Sequence, residues 1–302
     1  MDLEHTLQSI VSLHSVIPED GFTASILGTE RGGSGIVIRE TGLVLTIGYL
    51  ITEAEAVWLT CMDGRVVPAH ALAYDQETGF GLVQALDRLD LPALPLGRAS
   101  VARPGDPVVL AAGGRGQFVN AHIVAKQEFA GYWEYLLEEA IFTAPAHPSW
   151  GGAGLIDAEG RLLGVGSLMV QQLTETGLQD INMVVPIDLL PPILDDLLSH
   201  GQLSKPARPW LGVYTAESEG RIVVANVAER GPAAAAGLRR GDIVAGVRDA
   251  DVASLADFYR KVWESGPAGT EIPIEVVRNN RSLWLRVKSA DRGAFLRKPR
   301  VH

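Results

Sequence analysis

Short apolar or alternating runs, separated by turn residues, recur between residues 33 and 185. The clearest runs lie at 34–38, 43–46, 57–62, 108–110, 122–125 and 162–165. Asp63 and Gly64 stand between the run at 57–62 and the apolar pair at 66–67, which is a strong hairpin signal. Strands do not alternate with helices, so a parallel sheet is disfavoured. The pattern predicts a large antiparallel barrel or sandwich.

Helical periodicity appears near both ends of this β-rich region. A short apolar pattern at positions 3, 7, 10 and 11 stops before Pro18 and predicts an N-terminal helical segment over residues 1–17. After Pro186, the apolar residues between 187 and 198 fall on one helical face, and Gly201 supplies a stop signal.

A second domain is predicted after the linker at 204–209 (SKPARP). Strand patterns lie near 210–214, 221–227, 243–248, 272–277 and 283–287, and helical patterns near 233–237 and 254–265. They indicate a small α+β domain, followed from about residue 290 by a poorly ordered tail. The predicted segments are therefore 1–17, 18–203, 204–290 and 291–302.

Charge is divided unevenly along the chain. Residues 1–204 hold 9 Lys and Arg against 25 Asp and Glu, whereas residues 205–302 hold 17 against 11. The acidic first part argues against nucleic acid as a partner, because phosphate binding needs clustered cations. The basic second part favours acidic peptides or C-terminal carboxylates, although a merely solvated surface explains scattered arginines as well.

The sequence gives no sign of a membrane span, a metal or a cofactor. No stretch approaches the roughly 20 apolar residues that a spanning helix needs. The first residues carry acids where a signal peptide is basic, so we expect a cytoplasmic chain, or a periplasmic one if a leader has been removed. The single cysteine, Cys61, lies in an apolar run and is interpreted as a small buried side chain.

The second domain resembles a PDZ domain of the HtrA/Deg type. The resemblance is carried by WLGV at 210–213, GPAAAAGL at 231–238, GDIV at 241–244 and SLADF at 254–258. It implies a loop of backbone N–H groups that binds a terminal carboxylate, with Gly212 allowing close approach. The predicted peptide-binding residues are Arg208, Trp210, Leu211, Gly212, Val213, Phe258 and Val262. An incoming tail is expected to add as a strand beside residues 221–227.

Residues 33–200 resemble the trypsin-like domain of the same family. The matching segments are GSGIVI at 33–38, LVLT at 43–46, LPLG at 94–97, GDPVV at 105–109 and NMVVPI at 182–187. The resemblance implies a double antiparallel β-barrel. The fold class predicted for the whole chain is therefore mainly β: a trypsin-like double barrel followed by a small α+β PDZ domain.

The residues at the family's catalytic positions depart from its pattern. Tyr49 stands at the position of the base, Gly79 at that of the orienting carboxylate and Gly151 at that of the nucleophile. A phenol with a reference pKa near ~10 is a poor base at neutral pH. In the loop that forms the family's oxyanion hole, Ser149 replaces a glycine and Trp150 follows it. The side chains of Tyr49 and Trp150 either form an apolar patch or simply fill space.

These departures lead to the expectation of a proteolytically inactive HtrA-like protein, not an enzyme, that acts as an adaptor, chaperone or assembly factor. Its partners would be proteins or peptide C-terminal tails, and the resemblance implies a homo-oligomer, a trimer in the family. One alternative is a serine endopeptidase that uses a displaced dyad of Ser149 and His147. Another is a structural subunit of a larger enzyme complex.

Overall fold

The computed structural model describes residues 2–114, 117–174 and 177–297. The chain divides into two compact units. The first comprises Met1–Gln127, Glu139–Ser204 and Leu296–His302, and the second comprises Glu128–Glu138 and Lys205–Phe295. Among the described residues, no helix is both long and apolar enough to cross a bilayer.

The first barrel closes through six antiparallel strands. Its elements are α1 (Leu3–Leu7), β1 (Ile10–Val16), α2 (Ala24–Leu27), β2 (Glu30–Arg39), β3 (Leu43–Ile47), β4 (Ala56–Thr60), β5 (Val66–Tyr74) and β6 (Phe80–Ala85). The strand order is β1-β2-β3-β6-β5-β4, and β1 also pairs with β4 to close the ring. Closure leaves no edge strand unpaired, and the inward positions are filled by apolar side chains.

The second barrel is built in the same way. Its strands are β7 (Pro107–Ala111), β8 (Phe118–Gly131), β9 (Tyr135–Ala144), β10 (Gly154–Ile156), β11 (Leu162–Thr174) and β12 (Gly177–Pro186), in the order β10-β11-β12-β9-β8-β7. Helix α3 (Pro191–His200) follows, and Gly201 ends it in the left-handed conformation with φ 69°. The predicted helix and its stop are confirmed.

The second unit is a single curved sheet covered by short helices. Its elements are β13 (Val213–Ser218), β14 (Arg221–Val227), α4 (Pro232–Ala235), β15 (Ile243–Val247), β16 (Ala250–Asp251), α5 (Leu255–Glu264), β17 (Glu271–Arg278) and β18 (Arg281–Lys288). The strand order is β13-β14-β15-β17-β18, with β16 beside β15. The core between sheet and helices includes Leu211, Phe258, Tyr259 and Ile274, all nearly inaccessible to solvent. The predicted mainly β class is confirmed.

The prediction of a helical segment over residues 1–17 is wrong for most of its length. Only Leu3–Leu7 form a helix, and Ile10–Val16 form β1. Ile10, Val11 and Leu13 are buried because β1 lies between β2 and β4 in the closed barrel. Apolar residues at 7, 10 and 11 fit a helical face, but tertiary pairing determines the structure from Ile10 onward.

A buried ion network supports the turn that carries Tyr49. The Glu53 carboxylate accepts hydrogen bonds from the amides of Phe22 and Thr23, at 2.9 and 2.7 Å. Arg31 donates to the carbonyl oxygens of Tyr49 and Thr52, at 2.7 and 3.1 Å. These bonds fix the short 3₁₀ turn at Gly48–Leu50.

The end of the chain joins the same network. The residue 297 amide donates to Glu53 at 3.0 Å. The predicted tail over 291–302 is therefore structured as far as it is described, with a 3₁₀ turn at Arg292–Ala294. Residues 298–302 lie outside the described residues.

Candidate functional site

The three positions that match the family's catalytic residues meet in the first unit. A Cβ atom placed on Gly151 would lie 2.7 Å from the Tyr49 hydroxyl oxygen, so this hydroxyl occupies the space of a side chain at 151. The Gly48 amide donates to the Gly79 carbonyl at 2.7 Å. Asp75 accepts from the Thr78 amide at 2.8 Å and forms the turn that presents Gly79. The roles predicted for these positions stay predictions.

Tyr49 acts here as a hydrogen-bond donor. Its hydroxyl donates to the Ser167 carbonyl at 3.0 Å. Burial raises the pKa of the Tyr49 phenol well above its ordinary value, against a smaller opposite effect of a side-chain hydrogen bond with Trp150. The phenol therefore stays protonated at neutral pH, and Tyr49 and Trp150 are joined by a polar contact.

His147 and Ser149 are in contact, but through the serine backbone. The Ser149 amide donates to His147 Nδ1 at 2.9 Å. The His147 ring is buried, and burial lowers its pKa, opposed by a hydrogen bond with the backbone of Gln117. The amide of His147 donates to Asn182 Oδ1 at 2.6 Å. The imidazole is thus a neutral acceptor next to an exposed serine.

Other amides of the same loop bond within the fold. The Gly152 amide donates to the Gly166 carbonyl at 2.8 Å, and the Ala153 amide donates to the Trp150 carbonyl at 3.1 Å. Gly152 has φ 77°, and a Cβ there would lie 2.0 Å from the Ser34 carbonyl oxygen. Only glycine fits at this position. The Ser149, Gly152 and Ala153 amides are therefore engaged internally, so in this loop conformation they offer no donors to a tetrahedral oxyanion.

In the second unit, residues 210–213 form the predicted carboxylate loop, and a carboxylate lies in it. The amides of Leu211, Gly212 and Val213 donate to the two carboxyl oxygens of Glu134, at 2.9, 2.7 and 3.0 Å. Gly212 has φ 78°, which lets three successive N–H groups converge on one anion. The loop therefore has the anion-binding geometry that the sequence predicted.

Glu134 lies at the tip of the β8–β9 hairpin, in the segment Glu128–Glu138 that belongs to the second unit. This segment is called the hairpin tip below. Glu134 sits in a turn with φ 60° and is 4% exposed, whereas Glu138 is exposed and pairs with Arg260 at 2.7 Å.

The expected site of strand addition also changes. Strand β14 at 221–227 is hydrogen-bonded on both sides, by β13 and β15, so it has no free edge. Strand β13 is the edge strand of this sheet. At this edge, the Thr215 amide donates to the Tyr132 carbonyl of the hairpin tip at 2.9 Å. A peptide would therefore add beside β13.

Of the remaining predicted peptide-binding residues, Trp210, Phe258 and Val262 are buried and Arg208 is exposed. Phe258 and Val262 on α5 are 0% and 1% exposed and share an apolar cluster with Leu136 of the hairpin tip. Arg208 stacks over the Trp263 ring at 4.5 Å. Trp210 is buried against Phe295, with ring centroids 5.0 Å apart. The roles of these side chains in peptide binding stay predictions.

The sequence analysis missed Glu134, Tyr132 and Tyr259 as parts of this site. The Tyr259 hydroxyl donates to the Gly131 carbonyl at 2.7 Å and accepts from the Glu134 amide at 3.2 Å. The only signal available was a glutamate placed among aromatic residues at 132, 133 and 135. That pattern does not reveal that Glu134 binds a loop more than 70 residues later in the chain.

Substituting Gly151 tests the contact with Tyr49. We expect Gly151→Ala to lower the free energy of unfolding by about 1–3 kcal/mol, because the new Cβ meets the Tyr49 hydroxyl. In a Tyr49→Phe background the same substitution should cost much less, since the clashing oxygen is gone. Urea denaturation of the two single variants and the double variant measures this coupling. Strictly additive effects would contradict the predicted contact.

The Glu134 carboxyl should titrate near neutrality. Burial raises its pKa from 4.5 to about 7, against the lowering effects of three backbone amides and of Arg292. Because the docked form holds the proton more tightly, docking of the hairpin tip should weaken as pH rises from about 4.5 to about 7, and stay constant above. Carboxyl ¹³C NMR measures the midpoint. A midpoint at or below the ordinary glutamate value would contradict the prediction.

Comparisons with known proteins agree with this architecture. The trypsin-like peptidase domain family matches residues 33–165, and the PDZ domain family matches residues 209–288. The serine endoprotease DegS of Escherichia coli K12 is 27% identical over 276 residues, covering 84% of this chain and 75% of that protein. The serine protease Do-like HtrA of Bacillus subtilis is 21% identical over 291 residues, covering 86% of this chain and 64% of that protein.

Solved structures show the same fold. The HtrA-type protease AlgW with a decapeptide is 24% identical, with a TM-score of 0.57, and the match covers 99% of this chain and 98% of that one. A serine endoprotease from Yersinia pestis is 23% identical, with a TM-score of 0.55, covering 96% and 98%.

The names of these relatives contradict one expectation from the sequence. We predicted a proteolytically inactive adaptor, whereas the relatives that resemble the chain over most of its length are named a serine endoprotease and a serine protease. The prediction of a non-enzymatic adaptor is wrong on these comparisons, and the endopeptidase alternative agrees with them better. The two closed barrels and both domain matches lead to one conclusion. The chain carries a trypsin-like peptidase domain followed by a PDZ domain, and it is similar to proteases of the HtrA type.

Proposed function

We propose that this chain acts on polypeptides and that its PDZ domain recognises them by a C-terminal carboxylate. The observation that carries the proposal is the convergence of the Leu211, Gly212 and Val213 amides on one carboxylate. Backbone N–H groups in this arrangement stabilise an anion without a counter-charge. Edge strand β13 begins at Val213, so a tail held there has a strand to pair with.

The second candidate function is the cleavage of the bound polypeptide by a serine endopeptidase activity. The names of the relatives favour it. Within this chain, Ser149 is exposed beside the Nδ1 acceptor of His147, which burial keeps neutral. A neutral imidazole can take a proton from a serine hydroxyl. The proposal requires the 147–151 loop to turn, so that the Ser149 hydroxyl replaces its amide at Nδ1.

Gly212→Glu should abolish binding of peptides with a free C-terminus. A side chain at φ 78° strains the loop, and a Cβ would lie 3.1 Å from the Trp210 ring. The added carboxylate would also repel an incoming one. Fluorescence anisotropy with labelled decapeptides, each compared with its C-terminal amide, measures the effect. Gly220→Ala is the matched control, since Gly220 also has positive φ, at 69°, but lies in the open β13–β14 turn.

Preserved peptide binding in Gly212→Glu would contradict carboxylate recognition by this loop. Equal binding of the free and amidated peptides would contradict it as well.

A fluorophosphonate probe should label the chain, and Ser149→Ala should remove the label. The expectation follows from the exposure of Ser149 next to a neutral imidazole. Ser100→Ala is the control, because Ser100 is exposed in the same unit and only its backbone amide is bonded, to Asp188 at 2.7 Å. Mass spectrometry locates the label. An unlabelled chain, or labelling that survives Ser149→Ala, contradicts hydrolysis by this pair.

A further inference from the structure

We propose that Glu134 is a tethered ligand of the chain's own PDZ domain. The hairpin tip fills the carboxylate loop and the edge of β13, and an external tail binds only when the tip releases. The inference rests on the proposed function of the carboxylate loop, and it adds a built-in competitor for that site.

The carboxylate itself fills the loop. Both Glu134 oxygens are used, one bonded to the Leu211 amide and the other to the amides of Gly212 and Val213. Glu134 is 4% exposed. A second carboxylate cannot reach the same three amides while Glu134 remains, because the donors are occupied and like charges repel.

The backbone of the hairpin tip also takes the place of a bound strand. The Tyr132 carbonyl accepts from the Thr215 amide on the edge strand at 2.9 Å. The Tyr259 hydroxyl, on the helix facing that strand, bonds to the Gly131 carbonyl and lies 2.9 Å from Thr215 Oγ1. An added strand and a carboxylate in the loop are the two elements of PDZ-type recognition, and the hairpin tip supplies both.

Apolar and charged contacts hold the tip in the groove. Leu136 is 7% exposed within the cluster that contains Phe258 and Val262, and Ala130 packs against the same cluster. Arg260 on α5 bridges the Glu128 and Glu138 carboxylates at the two ends of the tip. The groove between β13 and α5, with the pocket lined by Phe258 and Val262, is therefore filled by a segment of the same chain.

The same contacts leave the tip displaceable. Glu134 is buried, and its three hydrogen bonds come from neutral amides. Its pKa is raised although the charge of Arg292 opposes that shift, so desolvation of the carboxylate makes this part of the contact weaker than its hydrogen bonds alone suggest. A competing tail that adds side-chain contacts of its own can replace the tip. The apparent affinity of the tail equals its intrinsic affinity multiplied by the fraction of time that the site is open.

The experiment compares the full-length chain with Glu134→Ala, Glu134→Gln and the control Glu139→Gln. The control removes one charge from the same β8–β9 hairpin, but its carboxylate pairs with Lys126 outside the hairpin tip. The probes are fluorescein-labelled decapeptides ending in Val, Leu, Ile or Ala, each as the free acid and as the amide. Hydrogen–deuterium exchange of the 211–213 amides reports directly on loop occupancy and on folding.

We expect Glu134→Ala to bind the free-acid peptides about tenfold more tightly or better. Binding by Glu134→Gln should fall between that of Glu134→Ala and that of the unaltered chain, and Glu139→Gln should stay close to the unaltered chain. The 211–213 amides should exchange faster in Glu134→Ala and become protected again on adding peptide. The affinity for amidated peptides should be the same in Glu134→Ala as in the unaltered chain.

Two results overturn the inference. If the unaltered chain and Glu134→Ala bind free-acid peptides equally, the tether is refuted while carboxylate recognition stands. If Glu134→Ala exposes the 211–213 amides but no variant prefers free acids over amides, carboxylate recognition itself fails, and the competition fails with it.

Discussion

Three consecutive backbone amides that point into one buried loop need a hydrogen-bond acceptor, and this requirement governs the PDZ unit. The amides at 211–213 cannot bond to a strand, because Gly212 turns the chain with φ 78°. Unpaired buried N–H groups are costly, so the unit is stable only when a carboxylate or water reaches them. Here the chain supplies Glu134. Three other features accompany that contact. They are the burial of the groove between β13 and α5, the hydrogen bonds of Tyr259 and the docking of the hairpin tip on β13.

The first unit shows a different relation between scaffold and site. Barrel closure and the Arg31–Glu53 network hold the 3₁₀ turn at Gly48–Leu50 in place, and Tyr49 lies against Gly151. A scaffold of this kind positions whatever residues occupy these places, so the fold alone does not determine the chemistry of the site. The contact between Ser149 and His147 is an example. The serine amide donates to His147 Nδ1 and so occupies the acceptor that the serine hydroxyl would need for proton transfer.

Much of this architecture is predictable from the sequence, because it depends on local signals. The Asp63-Gly64 hairpin, the glycine stop at 201 and the WLGV loop each encode their geometry within a few residues. The strand at Ile10–Val16 is not predictable in that way, since its pairing with β2 and β4 overrides a helix-like pattern. Glu134 is less predictable still. Its role depends on a loop 77 residues later in the chain, and no periodicity links the two.

The occupation of the loop by a side chain also indicates which chemical groups such a loop binds. A glutamate in a tight turn offers the same two oxygens as the end of a polypeptide, and the 211–213 amides donate hydrogen bonds to both oxygens. The loop therefore responds to a carboxylate next to a strand-like backbone, whether or not the chain ends there. Under the proposed competition, intact folded proteins that present a glutamate at a hairpin turn would belong to the same ligand class as free tails. Selectivity between them must come from the side chains that flank the anion.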